Sequence, residues 1–301
     1  MRFSEIYTGN SPSISFELFP PNTDKGIKEL EERLPKLISL CPSIITVTYG
    51  AMGSTREKTL EIASMIKNQY GVDTAHHLTC VGSSNSEIEK ILNDIHDNGI
   101  ENIVALRGDP PRGQASFVKP ENGYGHANEL VSHIVNHGGF DIAVAGYPEK
   151  HIEAMDLQSD LTNLKNKVLN GANLIITQLY YDNEDFYRFV DLCRSLDINV
   201  PIVPGLMPIL NTDQIKRITS MCGASIPVQL LKKLEDASGD QSKVYEIGIE
   251  HTANQAIDLL QHGVPGIHFY VLNRYFHIAE IMDRIKPVSY THLTLPTICS
   301  V

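Results

Sequence analysis

Glu17, Arg107 and Asp109 are the residues whose types and spacing could do chemistry. Each lies at or just past the end of a short apolar run rich in β-branched residues. Asn102-Ile103-Val104-Ala105-Leu106 runs into Arg107-Gly108-Asp109-Pro110-Pro111, and Ser13-Ile14-Ser15-Phe16-Glu17-Leu18-Phe19 runs into Pro20-Pro21. Such runs read as buried strands. In a parallel α/β protein, ligands gather at the carboxyl ends of the strands. A carboxyl there is a candidate general acid or base, and a fixed anion there can stabilise a developing positive charge. Ile14, Phe16 and Leu18 share one face of their strand and Ser15 and Glu17 the other, which turns Glu17 away from the helices and inward. Apolar walls around it would raise its pKa and make it a general acid. The plainer readings are a solvated turn at 107–111 and a glutamate reaching water.

The elements that must position these residues alternate along the chain. Candidate strands cover 13–19, 43–49, 76–81, 102–106, 141–145, 174–179, 201–204 and 266–270. Candidate helices cover 24–40, 55–69, 84–96, 127–136, 157–169, 184–196 and 275–285, with 212–221, 227–234 and 243–261 between the last two strands. Ser84 and Thr212 are plausible N-caps, and Asn98-Gly99, Asn170-Gly171 and His262-Gly263 plausible helix ends. Eight such units predict an α/β fold, a single-domain (β/α)8 TIM barrel over residues 1–288. A doubly wound dinucleotide fold is the rival, but GxGxxG is absent. In the barrel, polar residues would line one mouth: Glu17, Thr48 and Tyr49, His77, Arg107 and Asp109, Tyr147, Gln178 and Arg274. The Pro- and Gly-rich stretch 109–124 is a loop of the length that is either a functional lid or disordered.

Bulk properties exclude several classes. With 25 Lys and Arg against 36 Asp and Glu, the 301-residue chain carries a net charge of −11. Without a basic cluster it is a poor match for nucleic acid or an anionic membrane. No apolar run reaches spanning length, and residues 1–6 lack a signal-peptide core. Its five cysteines are scattered without a CxxC pair, which fits reduced thiols and a cytoplasmic location.

Asp160, Asn163 and Lys167 share one helix face. It is either a solvated face or one that meets phosphates and ribose, with Lys167 supplying charge. Glu129, His133 and His137 also share a face, but HExxH is absent and exposed helical histidines are the better reading, so no metal is expected. GxSxG and GxxxxGK[ST] are absent as well.

Taken together, several motifs resemble the methylenetetrahydrofolate reductase family in its bacterial, catalytic-domain-only form. They include Phe16-Glu17-Leu18-Phe19-Pro20-Pro21, Val47-Thr48-Tyr49-Gly50-Ala51, Arg107-Gly108-Asp109, Gly146-Tyr147-Pro148-Glu149-Lys150-His151, Ile176-Thr177-Gln178 and Phe269-Tyr270-Val271-Leu272-Asn273-Arg274. They follow family order from about 13 to 286. The resemblance implies FAD as cofactor and NADH or NADPH as reductant. It also implies ping-pong reduction of 5,10-methylenetetrahydrofolate to 5-methyltetrahydrofolate, in one-carbon metabolism and methionine biosynthesis. By the same resemblance Glu17 matches the general acid, and Asp109 the carboxylate beside flavin and pterin. Thr48, Tyr49, Ala51, His77, Arg107, Gly108, Asp109, Ala127, Tyr147, His151, Ala154, Asp160, Asn163, Asn166 and Lys167 match FAD-binding positions. At Asn166, bacterial relatives often carry Arg. Glu17, Thr48, Asp109, Gln178, Gln214 and Arg274 match substrate positions, Gln178 serving both nicotinamide and folate. A homo-oligomer is implied likewise.

Rival readings are another flavin barrel of the proline dehydrogenase kind, a pterin-binding methyltransferase barrel, and a non-catalytic subunit. Residues 289–301 contain no Asp, Glu, Lys or Arg and no helical period. They are expected to be a non-native tail that does not continue the helix ending near Ile285.

Overall fold

The structure is a computed structural model that describes residues 1–9, 11–49, 56–110 and 117–292. Its strands are β1 (Ser13–Leu18), β2 (Ile44–Val47), β3 (Thr74–Thr79), β4 (Asn102–Leu106), β5 (Asp141–Gly146), β6 (Leu174–Thr177), β7 (Ile202–Val203), β8 (Gly205–Leu206) and β9 (Gly266–Tyr270). Its helices are α1 (Phe3–Ile6), α2 (Asp24–Ile38), α3 (Arg56–Tyr70), α4 (Asn85–Asp97), α5 (Ala127–His137), α6 (Leu157–Leu169), α7 (Asn183–Ser195), α8 (Thr212–Cys222), α9 (Val228–Asp236), α10 (Gln241–Gln261) and α11 (Phe276–His292). None among the described residues is long and apolar enough to cross a membrane.

Every strand pairing is parallel, in the order β7-β6-β5-β4-β3-β2-β1-β9-β8. β7 and β8 are two halves of one segment split at Pro204, which has no N–H for a ladder. Residues 202–203 pair with β6 and residues 205–206 with β9, so the ring closes through this segment. The eight expected strands are therefore present, one of them divided, in a single α/β barrel of the TIM type.

Two apolar layers hold it together. Phe16 and Leu18 face outward into the core shared with the helices, among Leu34, Ile45, Ile91 and Phe269. Inside the barrel, Phe3, Ile6 and Tyr7 pack against Ile44, Ala75, Val104, Ala143, Leu174 and Val203. Helix α1 thus plugs the amino end. Its first free N–H groups have side-chain partners on the barrel: Phe3 N–H donates to Asn102 Oδ1 at 2.7 Å and Ser4 N–H to Asp141 Oδ2 at 2.8 Å.

Ser84 caps α4 by accepting from Glu87 N–H. The α8 cap is Asn211, one residue before the expected Thr212, because its amide oxygen accepts from Gln214 N–H at 2.9 Å. Helix α11 continues to His292, past the expected end near Ile285, and takes in the first residues of the 289–301 segment. Once a helix is nucleated, each added residue gains a hydrogen bond, so weak periodicity alone does not end it. Residues 293–301 lie outside the described residues.

Candidate active site at the carboxyl ends of the strands

β1 carries Glu17 into the barrel in register with Thr46 of β2 and Tyr270 of β9. Its Oε2 lies 3.4 Å from His268 Nε2 and 3.5 Å from His77 Nε2. The inward direction read from strand alternation is observed. The expected apolar walls are not: two imidazoles face the carboxyl. Burial alone would push its pKa up, but the hydrogen bond from His268 and the charges that His77 and His268 can carry outweigh this, and the pKa is lowered. Glu17 is therefore a held carboxylate, not a standing acid. His77 is pushed down to about 4, chiefly by burial, with Glu17 opposing the shift, so it is neutral at pH 7.

His268 is fully buried, and its Nδ1 lies 2.9 Å from Ser15 Oγ. Tyr270 OH donates to Thr177 O at 2.7 Å, crossing above Gly205. A Cβ on Gly205 would sit 2.2 Å from Thr177 O and 2.8 Å from the Tyr270 ring, so only glycine fits this crossing.

The loop after β4 places Arg107 in a two-pronged ion pair with Glu153, at 2.5 and 2.9 Å. Its guanidinium also lies 5.2 Å from the centre of the Phe117 ring. Gly108 takes φ +88 against Thr79 and Val81, and Asp109 is exposed at the rim. After β5, the Tyr147 ring meets His151 edge-on at 4.6 Å, and His151 N–H donates to Asp160 Oδ2 at 2.9 Å. Lys167 Nζ donates to Ala145 O at 2.6 Å. Burial brings the Lys167 ammonium down to about 8, with the Asp160 carboxylate opposing the shift. The helix face read as either solvated or ligand-facing is therefore divided. Asp160 and Lys167 turn toward the strand ends, whereas Asn163 and Asn166 are exposed.

The remaining candidates sit around the same end. Thr48 N–H donates to Leu18 O at 2.8 Å, and the Tyr49 ring lies 6.0 Å from His76. Gln178 N–H donates to Gly146 O, while its side-chain oxygen accepts from Leu179 N–H at 2.9 Å. Gln214 is half-buried in the first turn of α8, Ala127 begins α5, and Ala154 O accepts from Lys150 Nζ at 2.6 Å. Arg274 is exposed beyond β9, and Ala51 lies outside the described residues.

His133 and His137 are not the exposed histidines expected. Their side chains are only 13% and 11% exposed, and His133 Nε2 lies 2.7 Å from Glu89 of α4. They tie α5 to α4. Among the described residues no group of three or more His, Cys, Asp or Glu is arranged to hold a metal ion. A cleft of about 720 Å³ lined by Tyr7, Arg194 and His262 opens at the amino end, away from all these candidates.

Sequence reasoning missed Ser15, His268, Tyr270 and Glu153 as parts of the mouth. Ser15 shares the inward face of Glu17, and the same alternation applied to 266–270 places His268 and Tyr270 on one face. Nothing local marks Glu153 as the partner of Arg107.

Fold and site together define a (β/α)8 barrel whose polar, titratable groups converge on one mouth. The family model for methylenetetrahydrofolate reductase matches residues 2–286. Methylenetetrahydrofolate reductase (NADH) 1 of Arabidopsis thaliana is 45% identical over 272 residues, covering 87% of this chain and 46% of that protein. The 5,10-methylenetetrahydrofolate reductase of Escherichia coli K12 is 40% identical over 262 residues, covering 87% and 86%. The chain belongs to the methylenetetrahydrofolate reductase family. It spans about half the length of the plant relatives and most of the bacterial one. Among solved structures, an uncharacterized Clostridium thermocellum protein that binds two copies of 5-methyl-5,6,7,8-tetrahydrofolic acid aligns with TM-score 0.61 at 19% identity. That alignment covers 95% of this chain and 98% of the other. At that identity the likeness shows the fold alone.

Proposed function

We propose that the protein reduces 5,10-methylenetetrahydrofolate to 5-methyltetrahydrofolate, drawing on NADH or NADPH through FAD. The observation that carries the reading is the Glu17 carboxylate inside the mouth, between two histidines, in a chain of this family.

The residues present fit an anionic, aromatic cofactor. Lys167 is a half-buried cation, with one of its three donors on Ala145 O. Arg107, held by Glu153 in the loop after β4, is a second cation at this end, and Tyr147 offers a ring face. Such groups would hold phosphates in a chain that is otherwise acidic. FAD, when bound, supplies hydride transfer from the nicotinamide to the folate.

The chain's own residues do the rest. Entry of a folate excludes water from around Glu17, which favours the protonated carboxyl. Oε2 then delivers that proton to the ring nitrogen that leaves as the five-membered ring opens. Asp109 at the rim supplies negative charge opposite the cation this creates. Arg274, beyond β9, suits the carboxylates of a glutamate tail, and Gln178 offers an amide to either substrate.

The test is anaerobic visible spectroscopy of the purified protein. The reading expects a flavin band that bleaches with NADH or NADPH and recovers with methylenetetrahydrofolate. Bleaching without recovery assigns a different flavin oxidoreductase. A protein that takes up no FAD overturns the reading in favour of a flavin-free, pterin-binding barrel.

A further inference from the structure

Four polar groups form a line through the barrel from its plugged end to its mouth. Tyr7 OH donates to Ser15 Oγ at 2.7 Å, Ser15 Oγ lies 2.9 Å from His268 Nδ1, and His268 Nε2 lies 3.4 Å from Glu17 Oε2. Tyr7 is 3% exposed, and Ser15 and His268 are fully buried. Water therefore does not set the proton positions along this line; the partners do.

A serine hydroxyl has one proton to donate. Tyr7 already donates to Ser15, so that proton must go elsewhere. Its choices are His268 Nδ1 at 2.9 Å and Ile267 O at 3.4 Å. The shorter contact wins, since hydrogen bonds weaken steeply with distance. Nδ1 is then an acceptor, the ring proton sits on Nε2, and Nε2–H faces the carboxylate. The opposite tautomer would force the serine proton onto the long contact and turn a bare nitrogen lone pair toward an anion.

We propose that Tyr7, in the plug at the amino end of the barrel, is a positioning residue for Glu17: through Ser15 it fixes the His268 tautomer that donates to the Glu17 carboxylate. This rests on the reading of Glu17 as proton donor, and it adds a residue of the plug to the groups that set its proton affinity. Among the described residues, the groups facing Glu17 are His77 from β3, His268 and Tyr270 from β9, and the Thr46 hydroxyl from β2. Of these, only His268 is joined to the plug.

The experiment is Tyr7→Phe in the full chain, which keeps the ring and removes the donor. Two readouts separate this inference from the catalytic reading. The first is the imidazole ¹⁵N spectrum of histidine-labelled protein, with His268 assigned by its loss in His268→Gln. Wild type is expected to show the proton on Nε2, and Tyr7→Phe a mixture of both tautomers. This readout needs no activity. The second is the pH profile of flavin reoxidation by methylenetetrahydrofolate. Weakening a hydrogen bond to the carboxylate raises its pKa, and Tyr7→Phe is expected to shift the Glu17 limb upward by about half a unit or more. Ser15→Ala should give the same upward shift, and Tyr7→Phe on the Ser15→Ala background no further one. A His268 tautomer unchanged in folded Tyr7→Phe overturns the proposal. A further shift on the Ser15→Ala background also overturns it, because the effect would then bypass Ser15.

Discussion

At the amino end of the barrel, Phe3, Ile6 and Tyr7 fill the space between Ile44, Ala75, Val104 and Leu174, and the first amides of α1, free of intrahelical partners, meet Asn102 and Asp141. At the carboxyl end, the same strands present Glu17, His77, Arg107 and Tyr147, together with the Thr46 and Thr79 hydroxyls, which are buried without a hydrogen-bond partner among the described residues. The amino end is mostly apolar, with the Thr74 hydroxyl its one buried group without a partner among the described residues; the carboxyl end gathers the titratable groups. A buried polar group without a partner is destabilising, and a fold keeps such groups where a ligand will meet them. The contrast separates residues that hold the barrel from residues that act in it.

The sharpest way to break that contrast is to empty the plug. Phe3→Ala removes a fully buried ring from the inner core and should cost about 3–5 kcal/mol, read as the shift in urea midpoint. The folded fraction should still bind flavin. A cost below about 1 kcal/mol would mean the amino end is not the stabilising one.

Acid gives the next largest effect. His77 and His277 are both pushed down to about 4 by burial, while an unfolded chain protonates them near 6.5. Between those values the unfolded state binds more protons, so this stability is present above pH 6.5 and is lost as pH falls toward 4. Each histidine should cost about 2 kcal/mol at pH 5 relative to neutral pH. Denaturation at both pH values checks this, and His277→Asn should flatten the dependence.

The smallest effect concerns the mouth alone. With Lys167 near 8, raising the pH from 7 to 9 removes most of its charge. FAD affinity should then weaken by up to about tenfold, measured by flavin titration. Lys167→Met should weaken binding at pH 7 and abolish the pH dependence. A dependence that survives in Lys167→Met would place the titrating cation elsewhere.

Much of the scaffold was legible because its signals are local. Strand 102–106 and helix 157–169 end where the apolar run or period ends, and Gly99, Gly171 and Gly263 each take the positive φ expected at helix ends. The inward turn of Glu17 needed only the two-residue period of a strand. Its proton affinity was not legible, because His77 and His268 come from other strands, His268 251 residues away in sequence. Helix α1 is four residues long, too short to show a period, and declares itself only by what it plugs. The pairing of His133 with Glu89 likewise depends on how α4 and α5 pack.

Glu17 is proposed to act on the folate and on nothing earlier. The direct test is rapid-mixing spectroscopy of Glu17→Gln under anaerobic conditions, with the two half-reactions followed separately. Flavin reduction by the nicotinamide should stay close to wild type. Reoxidation by methylenetetrahydrofolate should slow by about 10²–10⁴-fold, the range for losing a positioned proton donor. Reoxidation at the wild-type rate would contradict the account.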